Sequence, residues 1–235
     1  MDTKKFLTFS YDDGVTQDIR LIELFNKYGI KATFNLNSEL LGMDGALVRD
    51  GVEITHIKNK KEDVRYIYDG HEVAAHTLTH PNLAHVKAAG EIIRQVEHDR
   101  LKLSELCGYE VLGMAYPGGG VNYSDFAAET IQKNTGIKYA RTTVSSYSFD
   151  TQSNLYQFMP SVYHHDEMEK MFEMGERFLN IKTDIPQIFY IWGHAYEFDI
   201  RDEWGRFEEF LQMMSGRQDI CYCTNLEALI KIKCE

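Results

Sequence analysis

Phe6-Leu7-Thr8-Phe9-Ser10-Tyr11 is a β-prone run that ends on two adjacent carboxylates and a glycine, Asp12-Asp13-Gly14. Aromatic and β-branched residues favour a strand, and Asp-Gly favours a turn. Thr16 to Tyr28 follows with apolar residues at Ile19, Ile22, Leu24 and Phe25, a helical spacing, and stops at Gly29. Lys31 to Asn37 is strand-like again. The chain therefore opens as strand, helix, strand.

Outward from that start the alternation is interrupted once. The stretch from about Leu40 to Gly70 is polar, carries Lys58, Lys60, Lys61, Glu62 and Asp63, and shows no long helical period. It reads as an excursion with a small hairpin near the mouth of a site. Regular alternation then returns: strand Glu72 to His76, helix Lys87 to Leu106, strand Val111 to Tyr116 and helix Ser124 to Asn134, with Ser124 as its cap. Strands follow at Tyr139 to Val144 and Phe158 to Tyr163, then helix Glu167 to Leu179 and strand Gln187 to Trp192. Helix Arg206 to Met214 and strand Ile220 to Cys223 complete the series, and Thr224 with Glu227 fits a capping box opening a final helix. About seven β-α pairs without linker, repeat or low-complexity tract predict a single α/β domain over residues 1–235, built on a parallel sheet or barrel. In such barrels the working residues stand at the carboxyl ends of the strands.

Bulk properties narrow the function. A net charge of −11 disfavours a nucleic-acid partner and an anionic membrane surface, because both need a basic face. No apolar run reaches membrane-spanning length, and the start carries no charged and apolar export pattern, so a cytoplasmic protein is expected. Of Cys107, Cys221, Cys223 and Cys234, the pair in Ile220-Cys221-Tyr222-Cys223 is spaced for one face of a strand and reads as ordinary reduced thiols.

Four strand ends carry chemistry. At Asp12-Asp13, one carboxylate can ligate a metal while its neighbour accepts a proton. In His76-Thr77-Leu78-Thr79-His80, two imidazoles four residues apart can meet on one face of a helical turn and hold one ion. Tyr116-Pro117-Gly118-Gly119-Gly120 lets backbone approach a ligand closely, but lacks the Gly-Lys-Ser/Thr of a phosphate loop. Ile191-Trp192-Gly193-His194 offers a histidine fit for a general acid. His71 and His85 lack matched partners and read as structural or surface residues. One carboxylate and two imidazoles leave an open coordination position, as catalytic zinc sites do.

In this order the motifs resemble those of the polysaccharide deacetylase family (carbohydrate esterase family 4). Its Thr-Phe-Asp-Asp-Gly motif is matched by Phe9 to Gly14 with Tyr11 at the Phe position, and its His-Ser/Thr-x-x-His motif by His76 to His80. The resemblance runs from Phe6 to about His194. It implies a distorted (β/α) barrel of about seven parallel strands and a divalent metal, most often zinc or cobalt. By position it makes Asp12 the catalytic base, Asp13, His76 and His80 the metal ligands, and His194 the general acid. The Arg-x-Pro-Tyr-Gly motif survives only as Pro117 and Gly119: Ala115 stands where arginine is usual and Gly118 where tyrosine is usual. Oxyanion and substrate contacts are expected from Tyr116, Pro117 and Gly118. Arg141, at the end of the next strand, is expected to serve Asp12 in place of the missing arginine. Trp192 stands where a leucine usually lines the acetyl pocket. The carboxylate that orients His194 is open among Asp150, Glu197 and Asp199.

The expected function is metal-dependent deacetylation of an N-acetylated carbohydrate. Alternatives are an amidohydrolase of a cyclic ureide or small N-acyl metabolite, an O-acetyl esterase, or a non-catalytic metal- or sugar-binding protein. Tyr116, Tyr123, Tyr147, Trp192 and Trp204 are candidates for stacking on sugar rings. No oligomeric state follows from the sequence.

Overall fold

A computed structural model describes residues 4–233 of the chain. Cys234 lies outside the described residues; Cys107, Cys221 and Cys223 form no disulfide among them. The strands are β1 (Lys5–Asp12), β2 (Thr33–Leu36), β3 (Ala46–Arg49), β4 (Val52–Thr55), β5 (Glu72–Ala75), β6 (Gly113–Ala115), β7 (Tyr139–Arg141), β8 (Val162–Tyr163), β9 (Gln187–His194) and β10 (Ile220–Tyr222). The helices are α1 (Asp18–Lys27), α2 (Val64–Ile67), α3 (Ala89–Cys107), α4 (Asp125–Asn134), α5 (Met168–Asn180), α6 (Glu197–Ile200), α7 (Trp204–Met214) and α8 (Asn225–Lys233). No helix among the described residues is long and apolar enough to cross a membrane.

Seven parallel strands run in the order β7-β6-β5-β2-β1-β9-β8, and β10 pairs with the first half of β1. The sheet curls toward closure. Phe158 donates its N–H to Ala140 at 2.9 Å and accepts from Thr142 at 2.9 Å, while Ser161 donates to Tyr190 at 2.7 Å, so this segment bridges β7 and β9. The architecture is the distorted (β/α) barrel expected from the sequence. The expected strand Phe158 to Tyr163 is reduced to Val162–Tyr163 because Phe158 pairs on one side of the gap and Val162 on the other.

β1 is buried at all eight positions, which explains its lack of polar alternation. Even Lys5 is 4% exposed; its ammonium donates to the Phe178 and Leu179 carbonyls at 3.0 and 3.1 Å, at the end of α5, and pairs with Asp219 at 2.7 Å. Outside β1 pack α1, through Leu21, Ile22 and Phe25, and α7, through Phe207 and Phe210. The Phe9 and Phe25 rings lie 4.9 Å apart. Both caps read from sequence are formed. Ser124 accepts from the Ala127 N–H at 3.2 Å, and Thr224 and Glu227 exchange bonds of 3.0 and 3.3 Å.

Register is what assembles the site. Parallel pairing sets Asp12 beside Asn35 on one side and beside His194 on the other. Leu36 faces Ala75, Ala75 faces Met114, and Ala115 faces Arg141. The carboxyl ends of β1, β2, β5, β6, β7 and β9 therefore form one rim. The polar excursion does contain a hairpin, β3–β4, antiparallel and stitched to the turn after β1 through Thr16 to Ile57 and Asn59 to Gly14, each 2.8 Å.

Candidate active site

A cavity of about 830 Å3 opens at this rim, lined by Asp12, Asp13, His76, His80, Trp192 and His194 among others. The sequence motifs converge there, with two exceptions. Tyr116 is fully buried and turned away: its hydroxyl donates to the Tyr156 carbonyl at 2.9 Å, and Pro117 beside it is also off the cavity wall. Tyr116 and Pro117, expected at the substrate, therefore stand behind the cavity wall, because the Tyr116 hydroxyl finds its partner in the core. Gly118, at φ +88°, does reach the wall, a backbone shape that favours glycine. Of the aromatic stacking candidates, Tyr123 and Trp192 line the cavity; Trp204 is buried and donates its indole N–H to Asp199 at 2.8 Å.

Asp13, His76 and His80 bring one ligand atom each to within 4.8 Å of the others. The histidines meet through a bend and not the helical turn expected, since Thr77 and His80 have φ of +68° and +61°. The His80 N–H bonds to the Thr77 hydroxyl at 3.1 Å, which holds the bend. His76 Nδ1 lies 2.9 Å from the Ala115 carbonyl; a carbonyl only accepts, so Nδ1 carries the proton and Nε2 keeps its lone pair. Burial holds His76 down at about 4 against the pull of Asp12, and burial also lowers His80. Burial would raise Asp13, but the His56 hydrogen bond and the Lys58 ammonium hold its carboxyl well below the usual range. Two neutral imidazoles and a carboxylate are the donor set a divalent ion of zinc type takes.

Asp12, 2% exposed, accepts from Asn35 at 2.8 Å and from Arg141, whose Nη2 stands 2.6 Å from Oδ1 and bonds Oδ2 as well. Arg141 is itself fully buried, with its guanidinium over the Trp192 ring at 4.4 Å. Its β7 position places it across from Ala115, so the later strand end supplies the charge that Ala115 cannot.

His194 Nδ1 donates to Glu197 at 3.0 Å, and the His194 N–H to the same carboxylate at 2.9 Å. Glu197, not Asp150 or Asp199, is the carboxylate at His194. Asp150 accepts from Ser148, and Asp199 from Trp204 and Gln17. Burial opposes charge on His194, but Glu197, then Asp13 and Asp12, raise it to about 9. Glu197 is fully buried; burial would raise it, yet His194 and then His164 hold it well below the usual range. It also accepts from Arg49 and Tyr163, and His164 Nε2 lies 3.1 Å away. Gly193 is required here: a Cβ would fall 1.7 Å from the His164 ring.

Arg49, His56, Lys58, Tyr163 and His164 were missed from sequence. The i to i+3 spacing of His194 and Glu197 on one turn was a legible signal; the hairpin residues carried none beyond the polarity of the excursion.

A curled parallel barrel thus gathers at one rim three histidines, His76, His80 and His194, and two carboxylates, Asp12 and Asp13. The chain belongs to the polysaccharide deacetylase family, whose model matches residues 1–140. No relative was found among curated proteins. The fold is similar to that of a family 4 carbohydrate esterase from Streptomyces lividans in complex with acetate, with a TM-score of 0.59 at 13% identity, covering 94% of this chain and 92% of that one. It is similar to a family 4 acetyl xylan esterase from Clostridium thermocellum in complex with a cobalt ion (TM-score 0.55, 16% identity, 97% and 91% covered). It is also similar to a mutant of the peptidoglycan deacetylase PdaC from Bacillus subtilis (TM-score 0.58, 16% identity, 99% and 94% covered).

Proposed function

We propose that this chain is a metal-dependent hydrolase that removes an acetyl or similar acyl group from the nitrogen of an N-acetylated carbohydrate. The observation that carries the reading is convergence in one cavity. The ligand atoms of Asp13, His76 and His80 lie within 4.8 Å of one another, beside Asp12 with its arginine and His194 with its glutamate. A divalent ion held by those three, zinc or cobalt for preference, would polarise the acyl carbonyl and acidify the attacking water.

The protein supplies the rest. Asp12 takes the proton of the attacking water, and Arg141, bonded to both of its oxygens, aims that carboxylate. The Gly118 N–H is the proposed donor to the developing oxyanion. His194, fixed through Nδ1 by Glu197, delivers a proton from Nε2 to the departing amine. Trp192 forms part of the acyl pocket wall.

A second reading, hydrolysis of a small N-acyl metabolite or cyclic ureide, is favoured by Arg49, a cation that the hairpin places in the cavity lining. The same parts would cleave an O-acetyl ester. Retention of both proton-handling pairs argues against a pure metal or sugar binder. Acetate release from N-acetylated oligosaccharides, O-acetylated sugars and small N-acetyl compounds, using protein stripped of metal and then reloaded with zinc or cobalt, separates these. Metal-dependent release from the first group is expected. Release without dependence on metal, or none with the ion bound, would overturn the reading.

A further inference from the structure

We propose that the β3–β4 hairpin is part of the metal site and that His56, on its return arm, is a positioning residue for Asp13. The proposal rests on Asp13 being a metal ligand.

Asp13 has two carboxylate oxygens in different surroundings. Oδ1 faces His80 Nε2 at 3.7 Å and Lys58 Nζ at 3.3 Å. Oδ2 faces away toward His56 Nε2, 3.1 Å distant. A carboxylate only accepts, so the imidazole donates this bond, which leaves Oδ1 as the oxygen presented to the histidine pair. One donor on one oxygen selects a single rotamer of Asp13 and a single ligating atom.

Asp13 needs that help because its backbone is unusual. Its φ is +84°, uncommon for any residue but glycine. Lys58, 6% exposed, donates to the Asp13 carbonyl at 2.7 Å and fastens the turn. Asn59 binds the Val15 carbonyl at 2.8 Å. At its far end the hairpin is anchored as well: Asp50, in the β3–β4 turn, pairs with Arg201 at 2.8 Å. The His56 ring also stands edge-on to Tyr196 at 5.1 Å. His56 is therefore held from both sides before any ion arrives, and preorganised outer contacts of this kind raise metal affinity.

The test is the affinity of the full chain for zinc and cobalt, read by competition with a fluorescent chelator, in wild type, His56→Ala and His56→Gln. The alanine variant is expected to bind about 10- to 100-fold more weakly. The glutamine variant, whose amide N–H can donate to the same oxygen, is expected to recover most of the loss. Equal affinity in His56→Ala and wild type would overturn the positioning role and leave the hydrolase reading intact. An equal loss in both variants would also overturn it, assigning the effect to hairpin packing. Wild-type protein that binds neither ion would overturn the metal reading itself, and this proposal with it.

Discussion

Asp12 and Asp13 are consecutive and both buried, yet the structure gives them opposite surroundings. Asp12 closes β1 and meets Arg141 and Asn35. Asp13 turns to a left-handed backbone and meets His56, Lys58 and His80. The first is held at both oxygens by a fully buried guanidinium. The second shares its oxygens with partners that leave one facing two neutral imidazoles. A third carboxylate, Asp18, has neither arrangement: it accepts from the Tyr68 hydroxyl at 2.7 Å, and burial raises it to about 8. The difference teaches that residue type does not assign a role; the nearest cation, or its lack, does.

Substitution can break this comparison. Asp12→Asn is expected to lower kcat by about 1,000-fold, within the range for loss of a general base, while zinc affinity stays within a few-fold of wild type. Wild-type turnover in Asp12→Asn would remove Asp12 from proton transfer. His80→Ala should do the reverse and weaken zinc binding by about 100-fold or more, measured by chelator competition, because a direct ligand counts at least as much as an outer one.

Glu197→Gln sharpens the comparison on the acid side. Glu197 raises the His194 pKa, so its neutralisation lowers that pKa, and the alkaline limb of the kcat/KM profile should move to lower pH, with kcat falling about 10-fold. An unmoved limb would separate His194 from the proton delivered.

The smallest effect concerns Asp18. Its folded pKa of about 8 lies above the ordinary carboxylate value, so between pH 4 and 8 the native state keeps a proton that the unfolded state has lost. Stability must then fall as pH rises through that window, by up to about 1.4 kcal/mol per pH unit. Asp18→Asn should flatten the slope in urea titrations at pH 5 and 7.5. An unchanged slope would place the carboxyl in a charged state at neutral pH.

Much of this was legible in the chain. The strand ending at Asp12-Asp13, the histidine spacing and the capping residues Ser124 and Thr224 are local patterns, and local patterns carry their own physics of propensity, turns and caps. Spacing alone does not distinguish a bend between His76 and His80 from a helical turn; the positive φ at Thr77 and His80 does. Tyr116 follows directly on the motif position Ala115, yet a core carbonyl 40 residues away takes its hydroxyl, which no local pattern foretells.

The sequence by itself determined the alternation of strands and helices, the placing of each motif at a strand end, and the ligand and acid-base residue types on offer. Only the tertiary structure decided which groups meet. Parallel register set Asp12 beside His194 and brought Arg141 from β7 across the rim to a carboxylate 129 residues earlier. The folding of a polar hairpin back onto the β1 turn put His56 and Lys58 on Asp13. The physical reason is that pairing across a curled sheet depends on register and closure, which are properties of the whole barrel and are written in no single segment.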